Sequence, residues 1–400
     1  MDNIEISGFE LGVETFSLPS NKCRIKKYDA EDGTVRVNIE KITDEPLYYS
    51  FDGINGLCLT TKYGSVRKKN LLLEMASLNI KDDDLLIHFL EENGFFFSIQ
   101  NGVVSFSLND CLNILYRIMA VTELISELGS IKPNIDRIAF STLYLLLSEK
   151  IELKSDDSEK IFFSSPLHES VSIINQSSIA VNTDYDTDEA AEKNTYTIKD
   201  TVYSETYELD AEDYDSIISG EDPWHTNPEN TDIRYRKLAS VFKTNHNLNR
   251  NSRRIVDFLF HYMYEVGVVK NINYKTGIEF YKTPNKDLLN EKLQRALMVV
   301  ARIVVANEIN TVISRSVRPF FSADTLDTTW RSTSLHAALL FSLFYMHPGK
   351  SVFKRCANPA CNKYFSVSST NGRRIYCEKK CRDANNSRKH RLKVKQTPEH

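Results

Sequence analysis

Four cysteines near the C-terminus constrain this chain more than any other feature of its sequence. Cys356 and Cys361 form one close pair, and Cys377 and Cys381 form a second pair after an interval of fifteen residues. Two such pairs bring four thiolates within reach of one tetrahedral ion, which is the coordination that zinc favours. The sequence therefore predicts one Zn²⁺ per chain, with these four cysteines as its ligands.

Two alternatives to a metal site are ordinary buried cysteines and a redox dithiol. Two close pairs are uncommon among cysteines that only fill a core, and the other three, Cys23, Cys58 and Cys111, are scattered singly. A redox dithiol favours the spacing Cys-x-x-Cys, which does not occur in this sequence. Both alternatives are therefore weaker than zinc.

The residues between the two cysteine pairs predict a β-hairpin. Tyr364–Val367 has the composition of a strand, Thr370–Arg373 contains the turn dipeptide Asn-Gly, and Arg374–Tyr376 would be the returning strand. Each cysteine pair would then lie beside one end of this hairpin.

A strongly basic segment follows the second pair. The range 378–395 contains no glycine or proline and predicts one helix, and residues 353–395 hold 13 Lys or Arg against two acidic residues. Such a charge pattern is typical of a surface that binds nucleic-acid phosphates, although a solvated helix that offsets acidic parts of the chain is the alternative. The candidate nucleic-acid-binding residues are Arg373, Arg374, Lys380, Arg382, Arg388, Lys389, Arg391 and Lys393.

These C-terminal residues also resemble a known family. The segments Arg355–Phe365 and Asn371–Cys377, followed by a basic tail, are similar to the CGNR-type zinc finger of bacterial proteins thought to be stress-linked transcription regulators. The resemblance covers about 40 residues and implies zinc ligation by the same four cysteines. It also implies a nucleic-acid-binding face that includes Arg373, Arg374, Arg382 and Arg388. The two cysteines of the second pair are one residue closer to each other than in the family. Arg-Asp-Ala-Asn follows them, where the family has Gly-Asn-Arg.

The whole sequence predicts an α+β protein in four parts. Residues 1–153 alternate strand patterns with amphipathic helices and form a mixed strand and helix domain. Residues 154–232 form an acidic, Ser/Thr/Asp-rich linker or insertion, in which 182–232 carry 16 Asp or Glu against two Lys or Arg. Residues 233–350 form a helical domain, and 351–395 form the four-cysteine zinc module with its basic helix.

The helical domain offers one candidate catalytic pair. Arg254 and His261 are seven residues apart and would share one helix face, which resembles the Arg and His pair of HEPN ribonucleases. In such a pair the histidine would act as acid or base and the arginine would hold the phosphate. The alternative is a histidine that packs against Phe258 and Tyr262. No familiar enzyme motif occurs in the sequence, so the chain is more readily a binding protein than an enzyme.

The sequence also favours a cytoplasmic location. The first twelve residues lack the basic start and apolar core of a secretory signal. The apolar stretches Ala296–Ile309 and Leu335–Met346 are shorter than the 18 or so residues that span a bilayer, so we expect no membrane helix. The leading hypothesis is a zinc-dependent regulatory protein that binds nucleic acid, with DNA favoured over RNA. A stress or defence protein with a structural or protein-docking zinc module is the other hypothesis.

Overall fold

The structure is a computed structural model, and its described residues form small antiparallel sheets and α-helices, which confirms the predicted α+β class. The described residues are 14–18, 22–43, 45–52, 56–61, 69–99, 102–155, 160–178, 195–203, 207–210, 217, 233–244, 247–322, 327–345, 351–361, 363–368 and 373–396.

The described elements are numbered here in chain order. The strands are β1 Glu14–Leu18, β2 Cys23–Asp29, β3 Val35–Lys41, β4 Leu47–Asp52, β5 Gly56–Thr60, β6 Val103–Ser107, β7 Glu152–Lys154, β8 Ile161–Ser164, β9 Thr195–Ile198, β10 Tyr207–Asp210, β11 Val269–Asn273, β12 Gly277–Phe280, β13 Val317–Ser322, β14 Asp327–Ser332, β15 Ser351–Arg355 and β16 Tyr364–Ser368. The helices are α1 Leu71–Ala76, α2 Asp84–Asn93, α3 Leu108–Leu128, α4 Ile135–Leu147, α5 Glu169–Gln176, α6 Ile233–Lys243, α7 Arg250–His261, α8 Glu291–Ser316, α9 Leu335–Tyr345 and α10 Lys379–Gln396.

The contacts of the chain divide it into two compact units. The first unit comprises Met1–Gly129, Ile151–Ser165 and Glu308–His400, and the second comprises Ser130–Lys150 and Pro166–Asn307. Both ends of the sequence therefore belong to the first unit. The four-part division by sequence character stays a prediction.

Two three-stranded sheets form much of the first unit. One has the strand order β1-β4-β5 and the other β2-β3-β6, and all of their pairs are antiparallel. The long helix α3 follows β6 directly, because the Ser107 side chain accepts a hydrogen bond from the Asp110 amide and caps the first turn. Most of α3 is buried, so this helix is the centre of the unit.

One predicted hairpin is wrong. The turn dipeptide Asn101-Gly102 predicts a hairpin between Phe95–Gln100 and Val103–Leu108. Among the described residues, β6 instead pairs with β3, and Phe97 makes an isolated bridge to Ser334. The physical reason is burial: Phe95 and Phe96 are fully buried and Phe95 stacks on Phe106, with ring centroids 5.6 Å apart. Packing of these aromatic rings outweighs the local preference for a hairpin.

The second unit contains most of the helices predicted after residue 233. The spacing of apolar residues predicts helices over Arg253–Tyr264 and Lys286–Ser314, and these correspond to α7 and α8. A π-helical turn at Tyr262–Val266 extends α7.

Part of the acidic stretch also has regular structure. The sequence there predicts two short strands, Tyr196–Ile198 and Val202–Leu209, and β9 pairs with β10 in this region. Residues 204–206 of the second predicted strand lie outside the described residues.

By length and composition alone, helix α8 could cross a membrane. Its central stretch Ala296–Ile309, the part that the sequence marks as apolar, is too short to do so. Its Leu297, Val300 and Val304 are buried inside the protein, and a buried core helix has the same composition. The expectation that the chain has no membrane helix stays a prediction.

A buried ion pair fixes the C-terminal part of α8 within the first unit. The Arg117 guanidinium of α3 donates to the Glu308 carboxylate, and both side chains are about 5% exposed or less. His336 of α9 is also buried there, and burial lowers its pKa to about 4, so its ring is neutral at physiological pH. The ion pair therefore links α3 to α8, and the neutral His336 ring adds no charge beside it.

We predict that Glu308→Ala lowers the free energy of unfolding by about 3–5 kcal/mol, because a buried guanidinium loses its carboxylate. Urea denaturation followed by circular dichroism measures this change. Glu291→Ala is the matched control, since Glu291 lies on the same helix and is exposed. A cost for Glu308→Ala no larger than that of the control would contradict the prediction.

Candidate metal centre

The first cysteine pair lies in the turn of a β-hairpin. Strand β15 pairs with β16 so that Arg355 is opposite Tyr364, and the Cys356 amide donates to the Lys363 carbonyl at 2.9 Å. Within the turn, the Asn358 carbonyl accepts from the Cys361 amide at 2.8 Å. These bonds fold the segment between the strands tightly, so that both thiols of the pair are brought to one place.

The hairpin predicted between the cysteine pairs is therefore wrong in its pairing. The predicted strand at Tyr364–Val367 is present as β16, but its partner is β15, which precedes the first cysteine, and not Arg374–Tyr376. Residues 370–372 of the predicted turn lie outside the described residues. A single backbone bond, from the Ala357 amide to the Ile375 carbonyl at 2.8 Å, ties the returning segment to the first turn. This segment ends at Cys377, which lies in the thiol cluster.

The four predicted ligands come together. The Sγ atoms of Cys356, Cys361, Cys377 and Cys381 all lie within 4.8 Å of one another. The distance from Cys361 to Cys377 is 3.7 Å and that from Cys377 to Cys381 is 3.5 Å. Zinc–sulfur bonds of about 2.3 Å in a tetrahedron place sulfur atoms about 3.8 Å apart, so the cluster fits Zn²⁺. The chain holds one zinc site.

The surroundings of Cys356 favour the thiolate that zinc needs. Burial alone would raise the pKa of this thiol, yet hydrogen bonds from the backbone amides of Cys377 and Asn358 lower it below its ordinary value. Burial and the neighbouring thiols raise the pKa of Cys377. A bound divalent cation offsets the repulsion that opposes four thiolates in one cluster.

A small core supports the metal site. Cys356, Phe365 and Val367 are buried together, and Tyr376 packs against them. The Asn385 amide of α10 donates to the Tyr376 hydroxyl at 3.0 Å, which links the helix to this core. Asn385 is only 2% exposed, whereas the side chains of 382–384 and 386–391 are exposed, so Asn385 and Cys381 mark the face of α10 that lies on the zinc module.

Arg374 has a structural position that the sequence did not indicate. Its guanidinium lies over the Phe365 ring, 5.0 Å from the centroid, and donates to the backbone carbonyls of Tyr376 and Cys377. These contacts brace the segment that carries the second cysteine pair. The sequence predicts Arg374 as a nucleic-acid contact and as the first residue of a returning strand, and it indicates neither of these bracing contacts.

The zinc module is also attached to the rest of the first unit. The Arg355 guanidinium pairs with the buried Glu123 carboxylate of α3 at 2.8 Å, and the Tyr364 amide donates to the Ser77 hydroxyl at 2.8 Å. The Ser126 hydroxyl of α3 lies 3.5 Å from the Phe353 carbonyl. Sequence reasoning missed these anchors, because Glu123 and Ser77 are more than 200 residues away from the module.

Six of the remaining predicted nucleic-acid residues have exposed side chains. Arg373 precedes the second cysteine pair and is exposed, while Lys393 belongs to α10. The exposed side chains of α10 are Lys380, Arg382, Arg388, Lys389 and Arg391. Within the described part of the chain, the only ion pair of this helix joins Arg382 to its neighbour Asp383. The helix therefore presents a largely uncompensated positive charge to solvent.

A zinc-stabilised hairpin followed by a helix defines the C-terminal segment as a zinc finger. Residues 353–393 match the CGNR zinc finger family, which confirms the resemblance drawn from the sequence. The match covers about a tenth of the chain. Comparisons with curated proteins and with solved structures gave no match.

The candidate catalytic histidine is enclosed within the second unit. His261 has no exposed surface, and its two ring nitrogens lie 3.1 Å from an Asp200 oxygen and 3.2 Å from a Glu265 oxygen. Arg254 instead lines a cavity, and His261 is not among the residues that line it. The structure therefore does not present the two side chains to a common substrate, and His261 has the position of a buried structural group.

We predict that substitution of any of the four clustered cysteines by serine abolishes stoichiometric zinc binding and unfolds α10, because the small finger core depends on the metal. Elemental analysis and circular dichroism of the full chain measure both effects. The control is Cys111→Ala, a buried cysteine of α3 outside the cluster, which should keep one zinc per chain. Retention of a full zinc equivalent in Cys377→Ser would contradict the assignment.

We predict that His261 stabilises the fold more at neutral than at alkaline pH. Burial alone would lower its pKa, but hydrogen bonds with Asp200 and Glu265 raise it above the ordinary value. A raised folded-state pKa contributes stability that is fully present below the unfolded pKa of about 6.5 and is lost as the pH rises through the folded value. His261→Gln should therefore cost about 3 kcal/mol near pH 6, by analogy with other broken buried ion pairs, and less at pH 9.

Urea denaturation at several pH values measures this dependence. Burial raises the pKa of the nearby Asp257 to about 6, so its titration contributes little between pH 7 and 9. An unchanged or increasing cost of His261→Gln over that interval would contradict the prediction.

Proposed function

We propose that the chain is a zinc-dependent regulatory protein that binds nucleic acid, with DNA as the favoured target, in the cytoplasm. The observation that carries this proposal is the exposed positive surface of α10 on a metal-stabilised module. Nucleic-acid binding relies on lysine and arginine side chains that reach phosphates, and guanidinium groups bind phosphate oxygens in a bidentate manner.

The anchored position of the zinc module further supports a binding surface of fixed geometry. The hairpin β15–β16 is held by Arg355 and Tyr364, while α10 contacts the finger core through Asn385 and leaves its cationic side chains exposed. An anchored helix loses less conformational entropy on binding than a flexible basic tail. The module therefore presents its charges to a phosphate backbone in a preorganised arrangement.

A purely structural or protein-docking zinc module is the second candidate function. The contacts of Arg355 with Glu123 and of Tyr364 with Ser77 favour it, because they show the hairpin packed against its own chain. This role does not require the unpaired charges of α10. Nucleic-acid affinity and its salt dependence distinguish the two candidates.

We predict that the full chain binds a random-sequence DNA duplex with an affinity that falls as the salt concentration rises. A plot of log K against log salt concentration should have a slope of about −0.9 for each phosphate contact. The triple variant Arg388→Gln, Lys389→Gln, Arg391→Gln should bind more weakly and show a correspondingly smaller slope. Fluorescence anisotropy between 50 and 300 mM salt, with parallel RNA ligands, measures both quantities.

The matched control neutralises three exposed cations at β2, with the substitutions Lys22→Gln, Arg24→Gln and Lys26→Gln. These lie in the same unit and change the net charge equally, so a general charge effect would appear in both variants. The proposed interface would be contradicted if the β2 control loses DNA affinity while the α10 variant keeps it. A flat salt response of the wild-type chain would favour the docking role.

A further inference from the structure

A cavity of about 370 Å³ lies within the second unit, apart from the zinc finger. Its walls come from α7, from the first turns of α8 and from the segment Thr201–Tyr203. The volume falls within the range of about 300–1,000 Å³ that is typical of small-molecule sites. The cavity is therefore large enough for a small organic ligand.

Three cationic side chains line this cavity: Arg254, Lys292 and Arg295. Arg254 is half-buried and has no carboxylate partner among the described residues. Lys292 donates to the Tyr203 carbonyl at 3.5 Å, and the nearest carboxylate of Arg295 is that of the exposed Glu291, 3.9 Å away. No acidic side chain is among the described lining residues, so the lining itself is positively charged; the nearby carboxylates of Glu291 and Asp257 lie outside it.

Helix α8 adds to this positive potential. Its first turn is capped by the Asn290 side chain, which accepts from the amides of Lys292 and Leu293 at 3.0 Å each. The positive end of the helix dipole thus lies at the turn from which Lys292 lines the cavity. The helix dipole therefore adds to the positive potential of the side chains at this end of the cavity.

Most of the remaining lining residues are apolar, apart from Thr201 and the hydroxyl of Tyr203. Ala296, Val299 and Val300 of α8 line the cavity, together with Val202 and Tyr203 from the opposite segment. The Tyr203 ring also lies 5.7 Å from the Lys292 ammonium, measured to the ring centroid. Cationic groups beside an apolar surface suit a ligand that has an anionic end and an apolar or aromatic body.

Buried hydrogen bonds hold the segment Thr201–Tyr203 in place. The Thr201 amide and hydroxyl both donate to the buried Asp257 carboxylate, at 2.9 and 2.8 Å. The Asp200 carboxylate accepts from the amides of Val202 and Tyr203 and also pairs with His261. This wall is therefore preorganised, which lowers the entropic cost of binding a ligand.

We propose that this cavity binds a small organic anion, in which a phosphate or carboxylate group is attached to an apolar or aromatic body. Arg254 and Lys292 hold the anionic oxygens, and Tyr203 and Val299 contact the body. The forked guanidinium of Arg254 matches the oxygens of either anionic group.

Isothermal titration of the zinc-loaded full chain with phenyl phosphate tests this proposal. We expect saturable binding at one site per chain, with weaker binding of inorganic phosphate and none of benzyl alcohol, which lacks the charge. Benzoate in a parallel titration distinguishes a phosphate site from a carboxylate site. Arg254→Gln and Lys292→Gln should each weaken the binding about tenfold or more.

Three further variants keep the result specific to the cavity. Arg250→Gln removes an exposed cation one turn earlier on α7, outside the lining, and should bind as the wild type does. Ala296→Phe fills the cavity but keeps all of its charges, so it should abolish binding while its urea midpoint confirms that it folds. The α10 triple variant should retain phenyl phosphate binding, which separates this site from the proposed nucleic-acid interface.

The proposal is overturned if phenyl phosphate does not bind saturably. It is also overturned if Arg254→Gln binds as tightly as Arg250→Gln, or if folded Ala296→Phe retains binding. Binding that is lost only in the α10 triple variant would assign the phosphate affinity to the zinc finger instead.

Discussion

Coordination of one zinc ion by four thiolates is the constraint on which the C-terminal module depends. The apolar core of the finger consists of a few side chains around Cys356, Phe365 and Val367, which is too small to offset the entropy of ordering the segment. The metal joins the hairpin turn, the returning segment and the start of α10 at one point. The position of the basic helix therefore follows from the metal site.

The second constraint is the attachment of this module to the N-terminal part of the chain. The pair Arg355–Glu123 is partly buried, and Tyr364 and Ser77 add a backbone contact beside it. The two ends of the sequence consequently form one unit. The zinc finger is thus packed within the first unit and is not a separate domain on a flexible linker. This packing gives α10 a fixed orientation within that unit.

In the second unit, buried charged side chains hold a backbone segment in place. Its buried polar groups, Asp200, Asp257 and His261, form hydrogen bonds that hold the wall of a cationic cavity. The same cluster accounts for the complete burial of His261 in α7, because its ring nitrogens lie beside two carboxylates, those of Asp200 and Glu265. The acidic stretch of the sequence supplies Asp200 and the residues after it, so at least this part of it has a structural purpose.

The zinc site and the basic helix could be predicted from the sequence, because both depend on short-range spacing. Four cysteines in two close pairs indicate a metal cluster, and a run of residues without glycine or proline is compatible with one helix. The alternation of apolar residues likewise predicted the N-terminal strands. The anionic or cationic character of each segment was also available from the residues alone.

The partners of strands and side chains, in contrast, depend on the tertiary structure. β16 pairs with β15 instead of Arg374–Tyr376, β6 pairs with β3, and Arg374 braces the segment that carries the second cysteine pair. The cavity joins Tyr203, Arg254 and Lys292, which are far apart in the sequence. Such contacts depend on which surfaces are buried together, and local propensities do not contain that information because many long-range pairings share the same local pattern.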